Sequence, residues 1–308
     1  MSDDTLPGQF AGSVKTRSHS LSTSESAAVN SHRARPLVAL TIAGFDPSSG
    51  AGVTADLQTF AAHGLFGTSA VTALTVQNTL AVAAVEPVPD ALILRTLECL
   101  YADLPPAGVK IGMLGAVDAV LAVSNFLAVF APLGPGIPQI PLVYDPVLRS
   151  SSGRDLFPPG QIEVLHSHML PRVSWITPNW QELGVLTQRE IRSLEEAEAA
   201  AHRLGERHPH LHLVVTGGDQ DAPVDLLRLP SGEVHRFPGE RVETTSTHGT
   251  GCAFSSALLS RLILGDSPAV AVQAAKDFVT EALHRAPGLG HGKGPLNLLW
   301  PLSRGLKP

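Results

Sequence analysis

Residues 37–52 read LVALTIAGFDPSSGAG. The first seven residues form an unbroken apolar run carrying the β-branched Val38, Thr41 and Ile42, and the run stops at Gly44, which is the pattern of a strand buried on both faces. Gly44, Gly50 and Gly52 then punctuate the chain, and a helix-spaced segment follows from Ala51 to His63. Strand, glycine turn and helix in that order open a βαβ unit. The same alternation recurs downstream. Strand-like runs lie at Ser69–Val76, Gly108–Met113, Ile140–Val147, Val173–Thr177 and Leu211–Gly218. Helix-spaced segments lie at Asp90–Tyr101, Ala116–Phe130, Ile162–Leu170, Trp180–Leu186 and Leu194–Arg207. The expected fold is therefore α/β, with a mostly parallel sheet, helices on both faces and ligands at the carboxyl ends of the strands. VDLLRL and EVHRFPGERV predict a hairpin around Pro230-Ser231-Gly232, and a long helical stretch from Gly251 to His284 is interrupted by Pro268.

Composition narrows the function. The 308 residues carry 22 Lys+Arg against 28 Asp+Glu, a net charge of −6, so no electrostatic footprint for a polyanion is present and nucleic-acid binding is not expected. Cys99 and Cys252 are the only cysteines, which excludes a disulfide framework and a Cys-based zinc site and fits a reducing, cytoplasmic compartment. No apolar run reaches the length of a membrane span, and the start lacks a secretory signal pattern. Residues 1–35 are rich in Ser and Thr with little apolar periodicity, so they read as a disordered tail before a single domain over 36–308.

Chemistry enters at the glycine-rich punctuation. Gly44–Gly52 allows close backbone approach to a ligand at a helix N-terminus, although a plain strand-to-helix turn fits it equally. Asp56, one turn into that helix, fits a dipole partner as well as a site residue. Thr247–Leu259, THGTGCAFSSALL, leads Gly249-Thr250-Gly251 directly into an apolar helix and gathers free N–H donors around one point, an arrangement suited to a phosphoryl group in transfer. Cys252 sits at that terminus, where a thiol pKa tends to fall; packing is the alternative role. His248 fits a loop residue. Asp145 and Pro146 end a strand, where an Asp faces a ligand or a metal's water shell. Asn179 and Glu182 match both a site and an ordinary capping box. Lys293, in GLGHGKGPLN, fits a solvated charge or a phosphate contact.

In this order the segments LTIAGFDPSSGAGVTADLQTF, TALTVQNT, KIGML, DPV with SSG, TPN with Glu182, HGTGC and GHGKGP resemble the hydroxymethylpyrimidine/phosphomethylpyrimidine kinases of the ribokinase-like superfamily. The resemblance runs from Pro36 to Asn297. It implies a three-layer α/β/α fold and the transfer of phosphate from Mg-ATP to 4-amino-5-hydroxymethyl-2-methylpyrimidine and then to its monophosphate, in thiamine biosynthesis. It further implies that Gln77 pairs with the amino edge of the pyrimidine, an amide offering both a donor and an acceptor, with Gly44, Asp56, Met113 and Val147 around the ring. Gly249, Thr250, Gly251 and Cys252 would form the anion hole, with Cys252 near the attacking oxygen. Asp145 and Glu182, with Asn179, would position Mg2+ through oxygens or waters. Thr216 would lie near the ATP phosphates and the Lys276 helix near the adenine. A homodimer is common in related kinases.

The chain departs from that pattern at Phe45, Ser49, Thr54 and Thr216, the last replacing a usual lysine. Loss of that cation implies altered nucleotide handling. Two other readings compete with the pyrimidine kinase. Pyridoxal kinase shares the fold and the cysteine-bearing anion hole, whereas the QNT and GHGKGP segments favour the pyrimidine. A non-catalytic module would sense the pyrimidine without transferring phosphate, a reading that the missing lysine before Gly217-Gly218 favours and the intact HGTGC and DPV oppose.

Overall fold

The computed structural model describes residues 35–132, 139–150, 153–158, 160–218, 220 and 223–302. Apart from Arg35, the expected N-terminal tail lies outside these residues. The leading strand β1 (Val38–Phe45) pairs in parallel with both β2 (Phe66–Gln77) and β4 (Gly108–Ile111). Parallel pairing continues through β5 (Leu142–Tyr144), β6 (Trp175–Ile176) and β7 (His212–Val215). Three further strands, β3 (Val82–Pro87), β8 (Val224–Arg228) and β9 (Val234–Pro238), are antiparallel at the two edges, giving the nine-strand order β3-β2-β1-β4-β5-β6-β7-β8-β9.

Side-chain alternation divides the core into two layers. Leu40, Ile42, Ile111, Leu142, Tyr144, Ile176 and Leu213 point to one face. They meet α2 (Asp90–Asp103), α3 (Val117–Phe130), α5 (Trp180–Thr187) and α6 (Leu194–Arg207). Ala39, Val143, Trp175, Val214 and Leu227 point the other way, against α1 (Gly52–Ala62), α7 (Thr250–Ile263) and α8 (Pro268–His284). Both faces of the central strands are thus dry, which is why their sequences are continuously apolar rather than alternating. This is the expected three-layer α/β/α arrangement.

Several boundaries differ from the sequence reading for identifiable reasons. Strand β3 was not expected, because its VAAVEP carries two alanines and ends in proline; it forms as an edge strand folded back on β2 through Asn78, whose Oδ1 accepts from the N–H groups of Leu80 and Ala81. Pro268 does not interrupt one long helix but begins α8, where its missing N–H has no intrahelical partner to lose. The helix expected over Ile162–Leu170 is α4 (Ile162–Val164), a wide π turn over Leu165–Met169 and a 3-10 turn over Leu170–Arg172. Within the π turn, buried His166 reaches both the Leu186 carbonyl at 2.9 Å and the His208 ring at 3.0 Å.

Candidate active site

The strand order reverses direction at β1, with β2 on one side and β4 on the other, and this is where an open α/β sheet leaves a crevice at its carboxyl edge. A cavity of about 750 Å³ occupies that edge. It is lined by the residues at the ends of successive strands: Gly44 near the end of β1 and Asp46 just after it, Met113 after β4, Asp145 after β5, Thr177 after β6 and Thr216 after β7. Gln77, Val147, Asn179, Glu182, His248, Gly249, Thr250, Gly251, Cys252 and Lys293 also line it. Twelve of the fourteen residues to which the family resemblance gives a role therefore converge on one cavity, together with His248 and Lys293.

At one side of the cavity the backbone turns sharply into α7. Gly249 has φ +84°, in the left-handed region, and a Cβ there would run into the Gly50 carbonyl oxygen, so only glycine lets the two loops touch. The turn directs the first N–H groups of a fourteen-residue helix at the cavity, with their partial positive charge. Asn179 caps α5 on the opposite side: its Oδ1 accepts from Glu182 N at 2.9 Å while Glu182 Oε2 accepts from Asn179 N at 3.0 Å. This reciprocal box fixes the Glu182 side chain at the cavity wall, so the capping and site readings of the pair are compatible.

Two of the fourteen residues stand elsewhere. Asp56 does not line the cavity; it is completely buried beneath it, accepting from Thr41 Oγ1 at 2.5 Å, Ser256 Oγ at 2.7 Å and Lys110 Nζ at 3.0 Å on each oxygen. Burial of Lys110 on the adjacent strand demands that carboxylate, which turns Asp56 inward and away from any ring. Lys276 is also absent from the lining, because its ammonium is drawn 2.8 Å to Asp225 Oδ2. The other Asp225 oxygen accepts from Gly217 N at 2.8 Å, so Lys276 supports the turn that follows Thr216.

Lys110, which sequence reading treated only as part of a strand, organises the site's charges. Its Nζ lies 3.9 Å from Asp145 Oδ2 as well as against Asp56. A lysine inside the apolar run GVKIGM was the available signal, since a buried ammonium requires a counter-charge. Burial disfavours the Lys110 ammonium, but Asp56, which also accepts its hydrogen bonds, and Asp145 outweigh that cost and hold it above the ordinary lysine value. Burial likewise raises Asp145, with Lys110 opposing. Asp46 was also missed. It is 2% exposed and its carboxylate accepts four hydrogen bonds.

The thiol of Cys252 behaves opposite to the sequence expectation. Desolvation pushes it up to about 12, and although Lys110 pulls it down, Asp145 and Asp56 add to the rise. The helix terminus is outweighed chiefly by burial of the sulfur, with the charges of Asp145 and Asp56 adding to the rise. Cys252 is therefore a neutral thiol near Asp145, which accepts from Ser255 Oγ at 3.2 Å.

The acids suit a hydrated divalent ion rather than a protein cage. Asp145 and Glu182 face the same cavity from β5 and α5, and among the described residues no cluster of three or more His, Cys, Asp or Glu side chains could hold a metal by itself. A hard ion that keeps waters and takes phosphate oxygens needs no such cluster.

A mostly parallel α/β sheet, a glycine turn feeding a helix N-terminus and acids across a strand-end crevice define the ribokinase-like class of small-molecule kinases. Residues 46–297 match the family model described as phosphomethylpyrimidine kinase, and the chain belongs to that family. It is 38% identical over 273 residues to the hydroxymethylpyrimidine/phosphomethylpyrimidine kinase of Haemophilus influenzae, covering 86% of this chain and 97% of that one. Among solved structures, the pyridoxal kinase of Staphylococcus aureus in complex with ADP is 29% identical with a TM-score of 0.77, covering 86% of this chain and 94% of its own. The phosphomethylpyrimidine kinase of Clostridium difficile is 33% identical with a TM-score of 0.68, covering 80% and 99%. Among the described residues no helix is long and apolar enough to cross a membrane.

Proposed function

We propose that this chain transfers the γ-phosphoryl group of ATP to the hydroxymethyl oxygen of 4-amino-5-hydroxymethyl-2-methylpyrimidine, and then a second phosphoryl group to the monophosphate. The observation that carries this reading is the Gly249–Gly251 turn, which aims the N-terminus of α7 into the same cavity that Gln77, Met113 and Val147 line. Family membership supports the substrate class.

In each turnover the hydroxymethyl oxygen, or in the second step a phosphate oxygen of the monophosphate, attacks the γ-phosphorus. The bond from that phosphorus to the bridging oxygen of ADP breaks. Negative charge on the moving group is met by the Gly249–Gly251 N–H groups, fixed in advance by the fold. Because Cys252 is a neutral thiol, we assign it to holding the attacking oxygen rather than to accepting its proton. In the first step that proton leaves late, onto an oxygen of the transferred phosphate. Gln77 pairs with the amino edge of the ring, and Gly44, Met113 and Val147 enclose its faces.

Asn179 and Thr216 form the nucleotide side, with Lys276 acting only through Asp225. Asp145 and Glu182 would hold Mg2+ through waters, and the ion would supply positive charge to the phosphates. We read residues 36–308 as a single kinase domain that works in the cytoplasm. Exposed apolar Leu74, Val76 and Leu80 around the β2–β3 edge fit a homodimer, which sedimentation would test.

The deciding experiment is ADP release with Mg-ATP and hydroxymethylpyrimidine, its monophosphate or pyridoxal, with product masses recorded. Each pyrimidine should gain one phosphate. Phosphate gained only by pyridoxal would move the substrate to the B6 vitamers, and no transfer with retained pyrimidine binding would make the protein a sensor.

A further inference from the structure

Two loops that are 202 positions apart in sequence share one buried carboxylate. Asp46 Oδ1 accepts from Ser48 N at 2.8 Å and Ser48 Oγ at 2.7 Å, and Oδ2 accepts from Ala51 N at 2.9 Å. Those bonds shape the Gly44–Gly52 loop. The fourth donor, His248 Nε2 at 2.8 Å from Oδ2, belongs to the loop that begins the anion-binding turn. Contact between the loops is intimate on both sides of this pair: a Cβ on Gly50 would run into the His248 ring, and one on Gly249 into the Gly50 carbonyl. His248 N in turn donates to Gly294 O at 3.0 Å, and Lys293 N donates to Thr79 O at 2.9 Å, just beyond Gln77.

We propose that Asp46 and His248 form a latch that couples the ring-binding loop to the phosphoryl-binding turn, so that the turn at Gly249 is in register only when the Gly44–Gly52 loop is correctly closed. Both are positioning residues, and the inference rests on the kinase reading for its catalytic consequence but not for the latch itself. A carboxylate can only accept, so His248 Nε2 must carry the proton. The hydrogen bonds of His248 and Ser48 hold Asp46 below the ordinary carboxylate value despite the opposing effect of burial, which keeps it an acceptor across the neutral range. The latch therefore needs the Nε2 donor and not a change of protonation. It would restrict transfer to occupants that leave the first loop closed, because a ligand that displaces residues 46–51 also displaces His248 and the donors after it.

Two readouts on the full chain test this. Amide exchange without ligand is compared for wild type, His248→Ala and His248→Gln, a glutamine amide being able to donate from the position of Nε2. In His248→Ala, exchange at residues 46–51 should quicken at least tenfold, and His248→Gln should restore protection. Unchanged exchange at 46–51 in His248→Ala would overturn the latch. In steady-state assays with the hydroxymethylpyrimidine, His248→Ala should lower kcat at least tenfold with less than threefold change in KM, and His248→Gln should recover most of it. Loss of melting temperature with kcat per folded molecule unchanged would leave only a structural contact and overturn the proposal. A silent wild type would remove the kinase reading while the exchange data still decide the latch. Should a variant not fold, nitrogen spectra of wild-type His248 serve instead: a proton held on Nε2 at pH 7 supports the pair, and a bare Nε2 overturns it.

Discussion

Lys110 Nζ lies 3.0 Å from each carboxylate oxygen of Asp56, and neither side chain is exposed to solvent. Two charges on adjacent layers, one from strand β4 and one from helix α1, thereby join the sheet to the helix beneath the cavity. Lys110→Met should cost about 3–5 kcal/mol of stability, because it leaves Asp56 buried without its counter-charge. Denaturant unfolding measures it. The double variant Lys110→Met/Asp56→Leu should regain part of the loss, and a single-variant loss below about 1 kcal/mol would show that solvent reaches the pair. Since the folded lysine value is raised, this contribution is complete below the unfolded value of about 10.4 and fades only as pH rises beyond it.

The cysteines should differ in reactivity in a way opposite to their motif context. Cys99 is exposed, whereas the Cys252 thiol is pushed up to about 12. Brief alkylation at pH 7.5 followed by peptide mass analysis should modify Cys99 and spare Cys252, since the thiolate is the nucleophile. Faster labelling of Cys252 would contradict the raised value. Cys252→Ala should lower turnover while the fold persists; unfolding with unchanged activity per folded molecule would assign the residue to packing.

Gln77→Leu should weaken pyrimidine binding by about 1–3 kcal/mol, the usual cost of leaving a buried polar edge unpaired. Calorimetric titration with the hydroxymethylpyrimidine checks it. Unchanged affinity would remove Gln77 from the ring site.

Gly249→Ala should abolish transfer with far less effect on pyrimidine binding. Its φ of +84° costs an L-residue about 1–2 kcal/mol, and the Gly50 carbonyl blocks the methyl group as well. Gly232→Ala is the control: it has φ +92° but open space around its Cβ position and lies in the β8–β9 turn, so it should retain full turnover.

Acid should loosen the packing of α6 against the π turn before it affects the site. Desolvation, then repulsion from His166, Arg207 and His210, lowers His208 to about 4, with nearby Glu163 opposing; desolvation also lowers His166. A histidine whose folded value is depressed adds stability above its unfolded value of about 6.5, and that stability is lost as pH falls from there toward 4. The melting temperature should decline through this window, and His208→Gln should flatten the decline. An unaltered slope in that variant would exclude the pair as its cause.

Much of this protein was legible in order along the chain. The apolar runs at Leu37–Gly44, Gly108–Met113, Ile140–Val147, Val173–Thr177 and Leu211–Gly218 predicted a parallel sheet, because strands buried on both faces tolerate no alternation. The resemblance to the kinase family assigned Gln77 and Cys252 to one site, and the parallel sheet required only that the strands' terminal residues meet at one edge. Composition and spacing carry such information because burial and helix geometry act locally. The tertiary structure decided which groups face one another. Asp56 and Lys276 are polar residues beside motifs, yet each turns to a buried or neighbouring counter-charge, Lys110 and Asp225, that no local pattern pairs with it. The thiol of Cys252 was read from its helix terminus alone, and burial in the assembled fold, with carboxylates brought from β5 and α1 adding to it, reverses that effect. Asp46 and His248 are separated by 202 positions, so their pairing exists only after the sheet has set both loops at its edge. Electrostatic and hydrogen-bond partners act through space, and space between distant residues is defined only by the fold.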